Sequence, residues 1–262
     1  MKSRVLGIFT LSLLLLLPGM ASAQMTGNVD KLKADLYGDN LDLAVAAASA
    51  LGSLKDQPRA LDALMASLQL GTPPKLTSAV LEALELHGNA EAIPLLAHYA
   101  KHRRQEIRGG ALRALGAIKD PKVVVMLIDA LSDSNPMIRA QAARILGERK
   151  ERRAERPLLM LLRRKDTSAA IPLGTIGGAQ TALNLGEMIG ELPGAALANA
   201  LGTMLMRKEF GPDPLRTQVV KALGRIQGKE ATTALAEYVA SVPPSELRQS
   251  KNQAKLILEK RK

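Results

Sequence analysis

An all-α fold, a right-handed α-solenoid of about five to six stacked helix pairs, is what three features of this 262-residue sequence predict. The first is a recurring apolar face at offsets 0, +4, +7, +8 and +11. It reads Leu43, Ala47, Ala50, Leu51, Leu54, then Ile107, Ala111, Ala114, Leu115, Ile118, then Leu215, Val219, Ala222, Leu223, Ile226. Those offsets fall on one side of a helix and not on one side of a strand. The second is its period. Two worn copies, Leu76, Val80, Ala83, Leu84 and Ile138, Ala142, Ile145, Leu146, put the starts at 43, 76, 107 and 138, spaced 33, 31 and 31. One amphipathic hairpin of that length cannot bury its own apolar face, so it needs neighbours on both sides. The third is composition: 47% hydrophobic but 2% aromatic, which favours closely approached helices over strands.

Taken in order, residues 1–23 read as a signal peptide. Lys2 and Arg4 precede the uncharged run Val5 to Leu17, and Ala21-Ser22-Ala23 offers the small residues of a cleavage site, so cleavage falls after Ala23. The run would span about 20 Å as a helix, short of the roughly 30 Å hydrocarbon core. The expectation is an exported chain, periplasmic or secreted, with no transmembrane segment after cleavage. No cysteine is present, which excludes disulfides, thiol catalysis and a lipidated cysteine.

Residues 24–262 are expected to form one domain. Residues 24–40 form an N-terminal cap, with a helix over Val29 to Tyr37 ended by Gly38-Asp39-Asn40. Residues 41–165 hold the regular repeats: Leu41 to Leu54 with Pro58 to Leu70, then Thr72 to His102, Gln105 to Ser132 and Asn135 to Lys165. Proline after Asp or Asn marks helix starts at Asp120-Pro121, Asn135-Pro136 and Asp213-Pro214, because proline fits the first turn and the acid or amide caps it. Residues 166–211 read as a degenerate repeat, rich in Gly and Pro and carrying only Glu187 and Glu191 as charges from Ala169 to Met206, with one helix of a pair missing or shortened. Residues 212–262 hold the final pair, Pro214 to Gln227 and Glu230 to Ser241, and a charged closing helix over Ser245 to Lys262.

Charge is uneven. Residues 24–100 carry 5 basic and 9 acidic side chains, residues 101–165 carry 17 and 7, and residues 166–262 carry 12 and 9. The excess sits in the middle repeats, which points to an anionic partner there. Lys101, Arg103 and Arg104 end one second helix; Arg163, Arg164 and Lys165 end another two repeats on; Arg108 and Arg139 open first helices. A helix-pair solenoid aims all eight at one edge. Arg149, Lys150, Arg152, Arg153 and Arg156 fall at the opposite edge, diluted by Glu148, Glu151 and Glu155. Cations at helix C-termini also offset the macrodipole, by about 0.3–1 kcal/mol each, so the edge has a structural reading beside the binding one.

Arginine's planar fork suits carboxylate or phosphate. The partner expected is a protein with an acidic surface, or else an anionic envelope lipid or lipopolysaccharide. Nucleic acid is not expected, because export separates the chain from it and the few aromatics offer no stacking platform. A second candidate is an apolar partner groove over Met188, Met204 and Met206, whose structural alternative is close helix packing by small side chains.

Catalytic signatures are missing: there is no G-x-S-x-G, no H-E-x-x-H and no phosphate loop. His98 and His102 stand at i, i+4, yet no third metal ligand accompanies them. Neither a catalytic residue, a metal nor a cofactor is predicted.

The stretch Asp133-Ser134-Asn135-Pro136-Met137-Ile138-Arg139 through Ala142-Ala143-Arg144-Ile145-Leu146-Gly147 resembles the first helix of a HEAT-like repeat of the phycobilin-lyase type. Ile107-Arg108 through Asp120-Pro121, and Asp213-Pro214-Leu215-Arg216 through Ile226, repeat it. The resemblance covers about residues 38–165 and 212–241. It implies an Asp before the first helix and an Arg within it that bond between neighbouring repeats, placing Arg108, Arg139 and Arg216 as the arginines, with Asp133 and Asp213 near the acid positions. Ala44 and Thr77 stand in the arginine slot of the first two repeats, so the ladder should begin late. It also implies a non-catalytic scaffold or adaptor, with a lyase or metal enzyme a distant alternative.

Overall fold

The computed structural model describes residues 28–261, and among them every regular element is helical. The single extended pairing there is an isolated bridge between Ile189 and Leu192. The predicted leader lies outside the described residues. Contacts divide the chain into two units, one ending at Ala83 and one beginning at Leu84.

The first unit comprises α1 (28–36), α2 (Leu41–Ser53), α3 (Pro58–Leu70) and most of α4 (Pro74–His87), within which the boundary falls. Asn40 caps α2, its side chain accepting from the Asp42 and Leu43 amides, and Pro58 opens α3 as the sequence requires. Gly71, at φ 79°, ends α3 in a conformation that L-residues rarely adopt. Tyr37 Oη donates to the Ala63 carbonyl at 3.0 Å and fastens α1 to α3. One member of the apolar series is out of place: Leu43 is 53% exposed, whereas Ile107 and Ile138 are buried. Ile138 packs against Gly109 on the preceding repeat; α2 has only the short α1 ahead of it.

The second unit continues with α5 (Ile93–Tyr99), α6 (Gln105–Ala117), α7 (Pro121–Ala130), α8 (Pro136–Glu148), α9 (Glu155–Arg163), α10 (Ala170–Ile176), α11 (Ala179–Glu187), α12 (Gly194–Met206), α13 (Asp213–Arg225), α14 (Lys229–Ser241) and α15 (Gln249–Glu259). Asp120 and Asn135 cap α7 and α8 by accepting the Lys122 and Met137 amides, with proline in the first turn of each helix. Helices α6, α8, α10, α12 and α14 pack each on the next, forming the row of first helices, and α13 packs on α11 and α15. Stacked hairpins in two rows are the all-α solenoid that the periodicity predicts.

Residues 166–211 hold a shortened pair, α10 and α11, of seven and nine residues, followed by the full-length α12. Six residues, 207–212, then lead straight into α13, with no helix between. The alternation therefore slips by one. Helix α13 has the sequence of a first helix and stands among the second helices. Asp213 changes its role accordingly. It lies inside α13 and accepts from the Gln249 and Ser250 amides, capping α15.

Small residues let the first-helix row close up. A Cβ on Gly174 would lie 2.5 Å from the Ala200 carbonyl oxygen, and one on Gly202 would lie 2.7 Å from the Ala234 Cβ. Glycine is what those close approaches require.

Candidate binding surface

The arginines fall into two sets, those bonded between repeats and those left at the surface. Arg108 of α6 donates to both Asp133 carboxylate oxygens, at 2.9 and 3.0 Å, and to the His102 carbonyl at 2.9 Å. Arg139 of α8 repeats the arrangement one hairpin on, meeting Asp166 at 2.7 Å and the Asp133 carbonyl at 2.9 Å. Arg108 and Asp133 expose only 14% and 17% of their side chains, and Arg139 and Asp166 23% and 14%. Sheltered fork contacts of this kind fix register between repeats. The two arginines expected at the basic edge are thus committed to the fold.

The acid of the second rung, Asp166, has no proline after it. Its carboxyl is drawn two ways: burial raises it, but the Ser168 hydroxyl, Arg139 and the Ser168 amide outweigh that and hold it below the ordinary carboxyl value. Arg216 departs from the pattern. Buried at 3% exposure, it has no carboxylate partner among the described residues and donates instead to the Leu205, Arg207, Lys208 and Gly211 carbonyls. Its guanidinium and that of Arg207 each stand 5.9 Å from the Phe210 ring.

A further device is invisible in the repeat signature. Arg149, just past α8, donates to the Gly116 and Ile118 carbonyls at the end of α6. Arg207, just past α12, does the same for Gly174 and Gly177 at the end of α10. Arg261, past α15, clasps Leu223, Gly224 and Ile226 at the end of α13. Each cation meets the carbonyls a helix leaves unpaired, where the macrodipole is negative.

The remaining edge residues separate into two hollows. Lys101 and Arg103 line a groove of about 850 Å³ beside α5, α6 and α7, together with Lys122, Val125, Met126 and Asp129. Arg163 and Lys165 line another of about 520 Å³ with Asn184, Glu187, Met188 and Glu191. Arg104 and Arg164 are exposed and line neither. None of these six edge cations enters an ion pair among the described residues. The repeat pattern does not single out Lys122, Val125 and Met126. A signal existed: Val123 to Ile128 is a six-residue apolar run on a ten-residue helix, more than one face can bury, and Val125 is left 57% exposed.

The three methionines form no common groove. Met204 is fully buried and Met188 is 7% exposed, while Met206, at 46%, lines a separate hollow on the first-helix side with Ile171. Residues 204 and 206 are two apart on one helix, about 200° around its axis, and cannot share a face. His98 and His102 flank Tyr99, whose ring meets His98 edge-on and stacks on His102. His102 Nδ1 accepts the Arg104 amide at 3.1 Å.

Two rows of hairpins with an Arg–Asp ladder define a helical-repeat protein. Residues 70–131 and 93–173 match the model of HEAT repeats, and residues 43–69 match that of the PBS lyase HEAT-like repeat. The chain belongs to the HEAT-repeat proteins. No curated protein matches its sequence. Among solved structures it is similar to a chain of the CpcE and CpcF complex of phycocyanin lyase from Nostoc sp., at 18% identity over 88% of this chain and 94% of that one, with a TM-score of 0.46. It is also similar to human deoxyhypusine hydroxylase in complex with glycerol, at 21% identity over 92% and 98%, with a TM-score of 0.43.

Proposed function

We propose that this chain is a non-catalytic scaffold, exported after cleavage behind Ala23, that binds an acidic envelope protein through the second-helix side of its middle repeats. One observation carries the reading: six cations, Lys101, Arg103, Arg104, Arg163, Arg164 and Lys165, stay exposed and without ion pairs among the described residues after the ladder and the clasps have taken theirs. Helix ends do not account for them all. Arg104 occupies the N-cap of α6 without a side-chain bond, at the positive end of the macrodipole, where a cation is disfavoured. No described helix is long and apolar enough to cross a membrane.

The test is a pull-down from the native envelope, comparing the wild type with a variant carrying Arg103, Arg104, Arg163 and Arg164 changed to Ala. A partner recovered by the wild type and lost by the variant supports the reading. Equal recovery by both overturns it. If the wild type instead binds anionic vesicles, with loss between about 50 and 200 mM salt as surface charge is screened, the ligand is lipid.

A further inference from the structure

We propose that the groove beside α5, α6 and α7 takes an acidic polypeptide segment anchored by an aliphatic side chain, an inference that rests on the partner-binding reading above and deepens it. Its floor and wall are apolar. Val125 stands 57% exposed on α7, with Met126 beside it, although an outward valine stabilises neither the helix nor the core. Its rim is cationic: Lys101, Arg103 and Lys122 are exposed and meet no carboxylate of the described residues. The groove's volume, about 850 Å³, falls within the range of ligand sites.

The remaining polar lining selects the ligand class. Asp129, Ser132 and Ser134 line the same groove, as does the Arg108–Asp133 pair, whose charges are spent on each other. The Asp129 carboxylate accepts from the amides of a polypeptide, which a phosphate headgroup lacks, and the Ser132 and Ser134 hydroxyls donate or accept, whereas the three cations suit glutamate or aspartate carboxylates. A segment with an aliphatic residue between acidic ones satisfies the apolar, cationic and acceptor parts of the lining together. That is the general logic of an apolar anchor inside a charged ring.

The probe is a fluorescent peptide of about three helical turns, with leucine on one face and glutamate elsewhere, titrated into the full chain. Controls are the same peptide with leucine changed to serine, one with glutamate changed to glutamine, and phosphatidylglycerol vesicles. Val125→Glu and Lys122→Glu are surface changes, and unaltered circular dichroism and melting show that each variant folds. The expected result is saturable binding of the parent peptide, weakened about tenfold or more by each variant, with both control peptides binding less. Wild-type affinity in both variants, or equal binding of the leucine-free peptide, overturns the proposal. So does binding of the vesicles with none of the peptide. The two readings fail separately. A pull-down partner lost by the four-arginine variant but kept by Val125→Glu removes this groove and leaves the scaffold reading standing; no loss in either removes both.

Discussion

Arg216 is buried with no carboxylate partner among the described residues, and four backbone carbonyls of residues 205–211 accept from it, with the Phe210 ring 5.9 Å away. Those carbonyls belong to the end of α12 and to the loop that replaces a missing helix, so the side chain supplies the hydrogen bonds the absent element would have provided. Arg216→Met leaves several acceptors buried and unpaired, and a loss of about 2–4 kcal/mol is expected in urea denaturation. Arg216→Lys keeps the charge but not the planar fork, so it should recover less than half of that loss. Lys165 gives the opposite sign. At φ 65° it holds the left-handed conformation that closes α9, with the Asp166 amide reaching back to the Leu161 carbonyl. An L-residue is strained there by about 1–2 kcal/mol, partly offset by the greater unfolded-state freedom of glycine. Lys165→Gly should therefore stabilise by about 0.5–1 kcal/mol, read as a raised melting temperature.

At the scale of helices, the ladder makes stability depend on acid. The Asp166 carboxyl lies below the ordinary value of 3.8 in the folded chain. Its contribution is fully present above that value and is lost as pH falls through the lower folded value. Asp166→Asn should cost about 1–3 kcal/mol near neutrality, and the gap from wild type should narrow as pH falls below 3.8 and through the lower folded value, where the wild-type carboxyl also takes up its proton. Denaturation midpoints at several pH values check this. Close packing sets a second expectation. Ala outranks Gly in a helix by about 1 kcal/mol, yet Gly174→Ala should destabilise by about 1–3 kcal/mol, because the added Cβ meets the backbone of α12.

Which of these elements the sequence discloses follows from what a repeat signature encodes. The apolar spine is legible because burial enforces its spacing, and Leu115, Leu146, Leu201 and Leu223 are all fully buried. Proline starts are legible because the first turn tolerates proline. The first ladder rung is legible as Arg108 with Asp133. Asp166 is not, since Ser168-Ala169 stands after it where Asn135-Pro136 follows Asp133. Nor are the clasps of Arg149, Arg207 and Arg261, because an arginine after a helix looks the same whether it faces solvent or reaches back to carbonyls 30–38 residues earlier. The row that α13 joins depends on a six-residue connection and not on α13 itself, so its first-helix sequence pointed to the wrong row.

For the whole molecule, the basic excess of the middle repeats divides into arginines that hold repeats together and cations that do not, and the two sets should respond differently to removal. Changing Arg103, Arg104, Arg163 and Arg164 to Ala takes the formal net charge from +11 to +7. Were all four helix-end stabilisers, their sum would be about 1–4 kcal/mol. The structure argues against that figure. Arg103 lies beyond the end of α5 at Tyr99, Arg104 sits at the positive end of α6 and caps nothing, and Arg163 and Arg164 alone sit at a helix C-terminus. The variant should stay within about 1 kcal/mol of wild type, while a double Arg108→Ala, Arg139→Ala variant, which strips both rungs, should lose several times more. Guanidinium denaturation of the two variants, run beside the envelope pull-down, separates the roles. A four-arginine variant that is as unstable as the rung variant would return the basic edge to the fold; one that is stable and has lost its partner assigns that edge to binding.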